Sequence, residues 1–120
     1  LAPAQAPLPM SPNDLTLVAK HVMKLLVERR FDELEEATGG TRLSADDMEG
    51  AVDDVGSALV MPPENVWRDM RITPVRNWPG AYNLKLDMWT ARGRTPNTVE
   101  LTVHTKDGRP VIEVDDIIVA

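Results

Sequence analysis

A carboxylate that works as a general base needs apolar surroundings to raise its pKa, and a nearby group to donate or shuttle the proton. The 120 residues hold few groups for such a pair: no cysteine, two histidines and one tyrosine. Thiol nucleophiles, disulfides, Cys-based zinc sites and iron–sulfur clusters are therefore excluded. Counting back from the Asp107-Gly108 turn places Asp116 opposite Val99, on the same face as Tyr82 and Thr90. That face is otherwise apolar, so Asp116 is the candidate base and Tyr82 its candidate donor. The competing explanation makes Asp116 a strand-end residue at a bulge, ahead of the continuous run Ile117-Ile118-Val119.

The other reactive types fit no site. His21 falls about 100° from the centre of its helix's apolar stripe, which marks a boundary residue rather than a ligand. His104 lies beside Lys85 across the strands. Neither histidine belongs to an H-x-x-x-H or H-E-x-x-H spacing, so no metal site is expected. Gly39-Gly40 runs into Thr41-Arg42-Leu43 without a P-loop lysine, and no cofactor is implied. Arg92-Gly93-Arg94 could hold an anion, although such a tip is usually a solvated turn. Ser11, Ser44 and Ser57 lack a histidine–carboxylate arrangement, and the first two serve as helix caps.

The elements that would position these residues are legible in the hydrophobic pattern. Ser11-Pro12-Asn13-Asp14 opens a helix over 12–29, with Leu15, Val18, Val22, Leu25 and Leu26 on one stripe. A short helix over 31–38 carries Phe31 and Leu34 and stops at Gly39-Gly40. Ser44 starts a third over 45–60, with Asp47 at the capping-box position and Pro62-Pro63 beyond its end. From Trp67 onward the period is two. Met70 and Ile72 mark a short strand that Pro74 confines to an edge or bend. Tyr82 to Met88, Val99 to Val103 and Arg109 to Val119 give three more strands, the last two joined at Asp107-Gly108. Helices followed by strands predict an α+β fold, with N-terminal helices packed on one face of a curved antiparallel sheet. Leu25, Val52, Leu86, Leu101 and Val114 should be deeply buried.

The register follows from the turns. Val103 should face Ile112 and Leu101 should face Val114. A symmetric loop over 92–97 would set Leu86 beside Val103 and Met88 beside Leu101. Trp89 then lies on the polar face, with Asp87, Thr102 and Glu113 in the adjoining row. One large aromatic among polar neighbours suggests a contact surface, for a homodimer or another protein.

The net charge is −6, and the pI is near 4.8. A basic nucleic-acid footprint is missing. Residues 1–60 carry five Lys/Arg against eleven Asp/Glu, while residues 61–120 carry eight of each. The excess sits in the helical half, at Glu35, Glu36, Asp46, Asp47 and Asp53 among others. It reads either as a solvated surface or as a docking face that steers a basic partner. No apolar run approaches the roughly 18 residues of a membrane span. Residues 1–10, with Pro3, Pro7 and Pro9, read as a flexible Pro/Ala-rich tail before a single domain over 11–120. They lack the charged n-region of a secretion signal, so a cytoplasmic location is the expectation.

The opening helix running into Leu25-Leu26-Val27-Glu28-Arg29-Arg30-Phe31-Asp32-Glu33-Leu34, and the closing strand Val111 to Val119, carry a resemblance. Over about Pro12 to Val119 the chain resembles the nuclear transport factor 2-like superfamily, a cystatin-like α+β cone, and looks most like a bacterial branch of it. The resemblance implies a cone whose mouth, in the enzymes, holds an aspartate or an aspartate–histidine pair. It also implies a sheet face that commonly supports homodimers. The superfamily spans isomerases, dehydratases, cyclases, transport factors and immunity proteins, so fold alone does not select a function. The expectation is a small non-catalytic protein-binding domain, in its sharpest form an immunity-type neutraliser of a basic partner. The alternative is a small-ligand binder or isomerase-, cyclase- or dehydratase-like pocket enzyme using Asp116 in the cone.

Overall fold

Ser11 and Asp14 close a capping box. The Asp14 amide donates to Ser11 Oγ, and the Ser11 amide donates to the Asp14 carboxylate, each at 3.1 Å. This starts α1 (Pro12–Val27), with proline in the first turn where a missing N–H costs nothing. A computed structural model describes residues 10–119. The tail expected over 1–10 thus lies, except for Met10, outside the described residues.

Helix α1 ends two residues earlier than its periodicity predicts, in a Schellman turn. Arg30 N–H donates to Leu25 O at 2.8 Å and Arg29 N–H to Leu26 O at 3.1 Å, with Arg29 at φ 58°. The turn delivers the chain into α2 (Phe31–Thr38), which stops at left-handed Gly39. A second capping box, Ser44 with Asp47, begins α3 (Ala45–Asp53). This helix is shorter than the expected 45–60. Gly56 at φ 81° turns the chain out of the helix, and the segment the pattern assigned to it instead supplies β1 (Leu59–Val60). A short α4 (Glu64–Arg68) follows Pro63 and buries Trp67.

Strands β2 (Arg71–Pro74), β3 (Tyr82–Thr90), β4 (Gly93–Lys106) and β5 (Arg109–Val119) complete one antiparallel sheet in the order β1-β3-β4-β5, with β2 also on β3. The helices pack on one face of this curved, unclosed sheet. Their stripe residues Leu15, Val22, Met23, Leu26 and Met48 meet Leu84, Met88, Val99, Leu101 and Val103, all at most 1% exposed. Leu25, Val52, Leu86, Leu101 and Val114 are buried as the pattern predicts.

The register corrects the sequence reading in two places. Thr90 faces Gly93 across an Ala91-Arg92 turn, so the expected 92–97 loop is strand. Leu86 consequently faces Val99 and Leu84 faces Leu101. Between Asp87/Thr98 and Trp89/Arg94 the longer strand bulges through Thr95-Pro96-Asn97. Pro96 cannot donate to the ladder; Thr95 Oγ1 instead donates to Met88 O at 2.8 Å. The displacement of Leu86 along β4 is an even number of residues, so the inner and outer faces survive it.

The second bulge changes faces. Leu101 faces Val114, but Glu100 faces Asp116 and Val99 faces Ile117, leaving Asp115 as the extra residue. Every side chain beyond an inserted residue is moved to the other face. Ile117 takes the inner position, and Asp116 is turned outward and exposed. Thr102 Oγ1 donates to Asp115 Oδ2 across the bulge, and Arg42 Nε lies 3.7 Å from Oδ1.

Candidate functional site

Asp116 and Tyr82 are not brought together. Tyr82 faces Val103 on the inner side, packed against the core, while Asp116 faces Glu100 on the outer side. The Asp116 carboxylate accepts the adjacent Ile117 amide at 2.9 Å. The expected oily position opposite Val99 belongs to Ile117, so the cone base is overturned by the bulge at Asp115.

The outer-face row is also rearranged. Asp87 faces Thr98 in a row that continues to Ile118, whereas Glu113 faces Thr102 in a row that continues to Asn83. The two rows are four positions apart along β4, roughly 13 Å, and the acids lie on opposite sides of that strand. His104 is not beside Lys85: its ring packs at a tilt of 44° against Trp78, with centroids 4.5 Å apart. Lys85 instead faces Glu100, its Nζ 3.8 Å from the carboxylate. His21 is exposed on α1.

The acids of α3 are largely engaged. Asp47 accepts the Ser44 backbone amide, and this bond and that with the Ser44 side chain hold its carboxyl below the usual aspartate range. Asp53 pairs with Arg29 at 2.8 Å, and Glu49 lies 3.8 Å from the same guanidinium. Asp46, Asp32 and Glu36 are exposed and have no ion-pair partner among the described residues. Among the described residues the set of unpaired acids on the helices is therefore smaller than the sequence suggested.

A more elaborate site sits at the edge of the sheet. Strand β1 covers Trp89 and Thr90 of β3, and β2 covers Tyr82 to Lys85. Neither reaches Leu86, Asp87 or Met88, so the edge of β3 is broken there. A cleft of about 420 Å³ opens at the break. Trp67 on α4 and Trp89 on β3 line it, together with Arg71, Lys85, Asp87 and Arg94. Alternation sends Lys85, Asp87 and Trp89 outward, and the Trp89–Arg94 pairing brings Arg94 to the same row.

Asp87 is the electrostatic centre of this group. It lies 3.4 Å from Arg71 and 3.7 Å from Arg94, and Thr98 Oγ1 donates to it at 3.1 Å. Both guanidinium contacts are loose, and the arginine side chains remain 61% and 67% exposed, so most of their donors face solvent. The Trp89 Nε1–H is buried and meets no acceptor. A buried donor without a partner costs about 1–3 kcal/mol, and this one is closed off from solvent within the packing around the indole. Trp89 was visible in the sequence as an outward aromatic. Arg94 was visible as part of a basic tip able to hold an anion; Trp67 and Arg71 were not, because their convergence on it depends on α4 and β2. Two further cavities, of about 410 and 580 Å³, lie at the end of α3 and along α1, away from Asp116 and Tyr82.

Fold and site together define a small α+β domain with a helix-covered antiparallel sheet and a cation-rimmed cleft at a break in the sheet's edge. Residues 23–120 match the family described as Domain of unknown function (DUF7668), and the chain belongs to that family. The match spans the last turn of α1 and all the strands, including every residue named in the cleft. No curated protein and no solved structure matches the chain. No helix among the described residues is long and apolar enough to cross a membrane.

Proposed function

We propose that this domain is a non-catalytic protein-binding module that meets its partner on the outer sheet face around Trp89. The observation that carries this is the half-buried indole at the broken edge, with an unpartnered N–H and exposed arginines beside it. Aromatic and arginine side chains in one concavity are the types that dominate interface energetics. Among the described residues, Asp116 is exposed on the outer face and the inner positions around it are apolar. An immunity-type neutraliser of a basic partner is the sharper form of the proposal. It is supported by the unpaired acids Asp32, Glu36 and Asp46 on the helical side. Membership of the nuclear transport factor 2-like superfamily belongs to the same proposal, supported by the order of helices before a curved sheet. The homodimer is a special case of it, with a second copy as partner.

The test places a photo-cross-linking residue at Asp69, on the rim of the cleft, and separately at Glu36 on the helical side. The expected result is a discrete cross-linked protein from position 69 that is lost with Trp89→Ala. Cross-links from position 36 alone would overturn the sheet-face reading, and so would their absence from both positions.

A further inference from the structure

We infer that the cleft between Trp67 and Trp89 is a subsite for a carboxylate carried on a flat apolar body, held by Arg71 and Arg94. This rests on the binding reading above and deepens it by naming what the partner must present.

Charge selects the sign of the guest. In a chain of net charge −6, the lining of this cleft holds three cations, Arg71, Lys85 and Arg94, against two acids, Asp69 and Asp87. Lys85 also leans toward Glu100 at 3.8 Å. The two arginines flank one internal carboxylate without closing on it, at 3.4 and 3.7 Å. Such a pair can accept a second carboxylate through its unused N–H groups, and planar guanidinium favours that geometry.

The apolar part of the lining selects the body of the guest. Trp67, Val66, Met70 and Pro62 form one side of a volume of about 420 Å³, room for an aromatic ring and its substituent. The binding reading assigns this group to the C-terminal residue of a partner chain ending in an aromatic side chain; a free aryl acid is the competing source that the test separates.

The experiment follows the indole N–H resonances of the isotopically labelled domain, assigned by Trp67→Phe, Trp78→Phe and Trp89→Phe. Phenylacetate is titrated against its neutral counterpart phenylacetamide. The expected result is a saturable shift of the Trp89 resonance with phenylacetate, in about the millimolar range appropriate to roughly ten non-hydrogen atoms. The amide should bind at least about tenfold more weakly, and Arg94→Gln should weaken the acid by a similar factor. Equal shifts for acid and amide, movement confined to Trp78, or no saturation would each overturn the assignment. The acid–amide comparison uses the unaltered protein, so it decides even if a variant fails to fold. A short peptide ending in Phe, with free or amidated C-terminus, separates the two sources: tighter binding of the free-acid peptide than of phenylacetate assigns the site to a chain terminus. All these probes are small, so their failure leaves the cross-linking result standing.

Discussion

Arg29 Nη2 lies 2.8 Å from Asp53 Oδ1, tying the left-handed residue that ends α1 to the last residue of α3. Both side chains are about half exposed. An ion pair in that setting contributes little, because water screens it and two long side chains must be ordered. Asp53→Asn is expected to lower unfolding free energy by no more than about 1 kcal/mol. That loss should shrink as salt rises, when measured by urea titration at two ionic strengths.

The capping box of α3 has a pH signature. Hydrogen bonds from Ser44 hold the Asp47 carboxyl below its unfolded value. A depressed folded pKa contributes stability that is fully present above the unfolded pKa, near about 4, and lost as pH falls through the folded one. The gap in thermal midpoint between wild type and Asp47→Asn should therefore be full at neutral pH and close on acidification. Ser44→Ala should cost about 0.5–2 kcal/mol.

Leu101 is completely buried where β4 passes between β3 and β5. Leu101→Ala should cost about 2–5 kcal/mol with an unchanged denaturant slope. A loss under about 1 kcal/mol would contradict the packing described here.

Trp89→Phe removes the indole N–H that meets no acceptor while keeping an aromatic ring. Its unfolding free energy should stay within about 1 kcal/mol of wild type, since losing an unsatisfied donor offsets lost contact area. Trp89→Ala lacks that compensation and should be clearly less stable by the same measurement.

Asp46 is the acid of α3 with neither a cap nor an ion pair to serve. With a basic partner in hand, Asp46→Asn should slow association more than it speeds dissociation, read by surface-immobilised kinetics at low salt. Equal rates for the two forms would leave Asp46 as ordinary solvated surface.

The fold was legible because its signals are local. Ser11 and Ser44 announce their helices, and Asp107-Gly108, at φ 54° and 75°, announces its hairpin. The burial of Leu84, Leu86 and Met88 follows from alternation alone. The site was less legible because bulges are not local signals of this kind. Nothing in Glu113-Val114-Asp115-Asp116 says which aspartate leaves the ladder, yet that choice decides whether Asp116 faces the core. Pro96 did carry a usable hint, since a proline within a strand demands an irregular ladder. The helix that carries Trp67 has only five residues, too few to show a period.

The order of elements along the chain has a consequence for synthesis. Strands β3, β4 and β5 are joined by two-residue turns, so their pairing needs only neighbouring residues and is kinetically undemanding. They are also made after α1, α2 and α3. The apolar stripe of α1, with Leu15, Val22 and Leu26, emerges before the sheet that will cover it. At roughly 5–20 residues per second the wait lasts several seconds, during which that stripe can seize another nascent chain. The acids crowded into the first sixty residues travel with the stripe and give every such intermediate the same sign of charge. Repulsion between unfinished copies thus guards the interval before β5 leaves the ribosome.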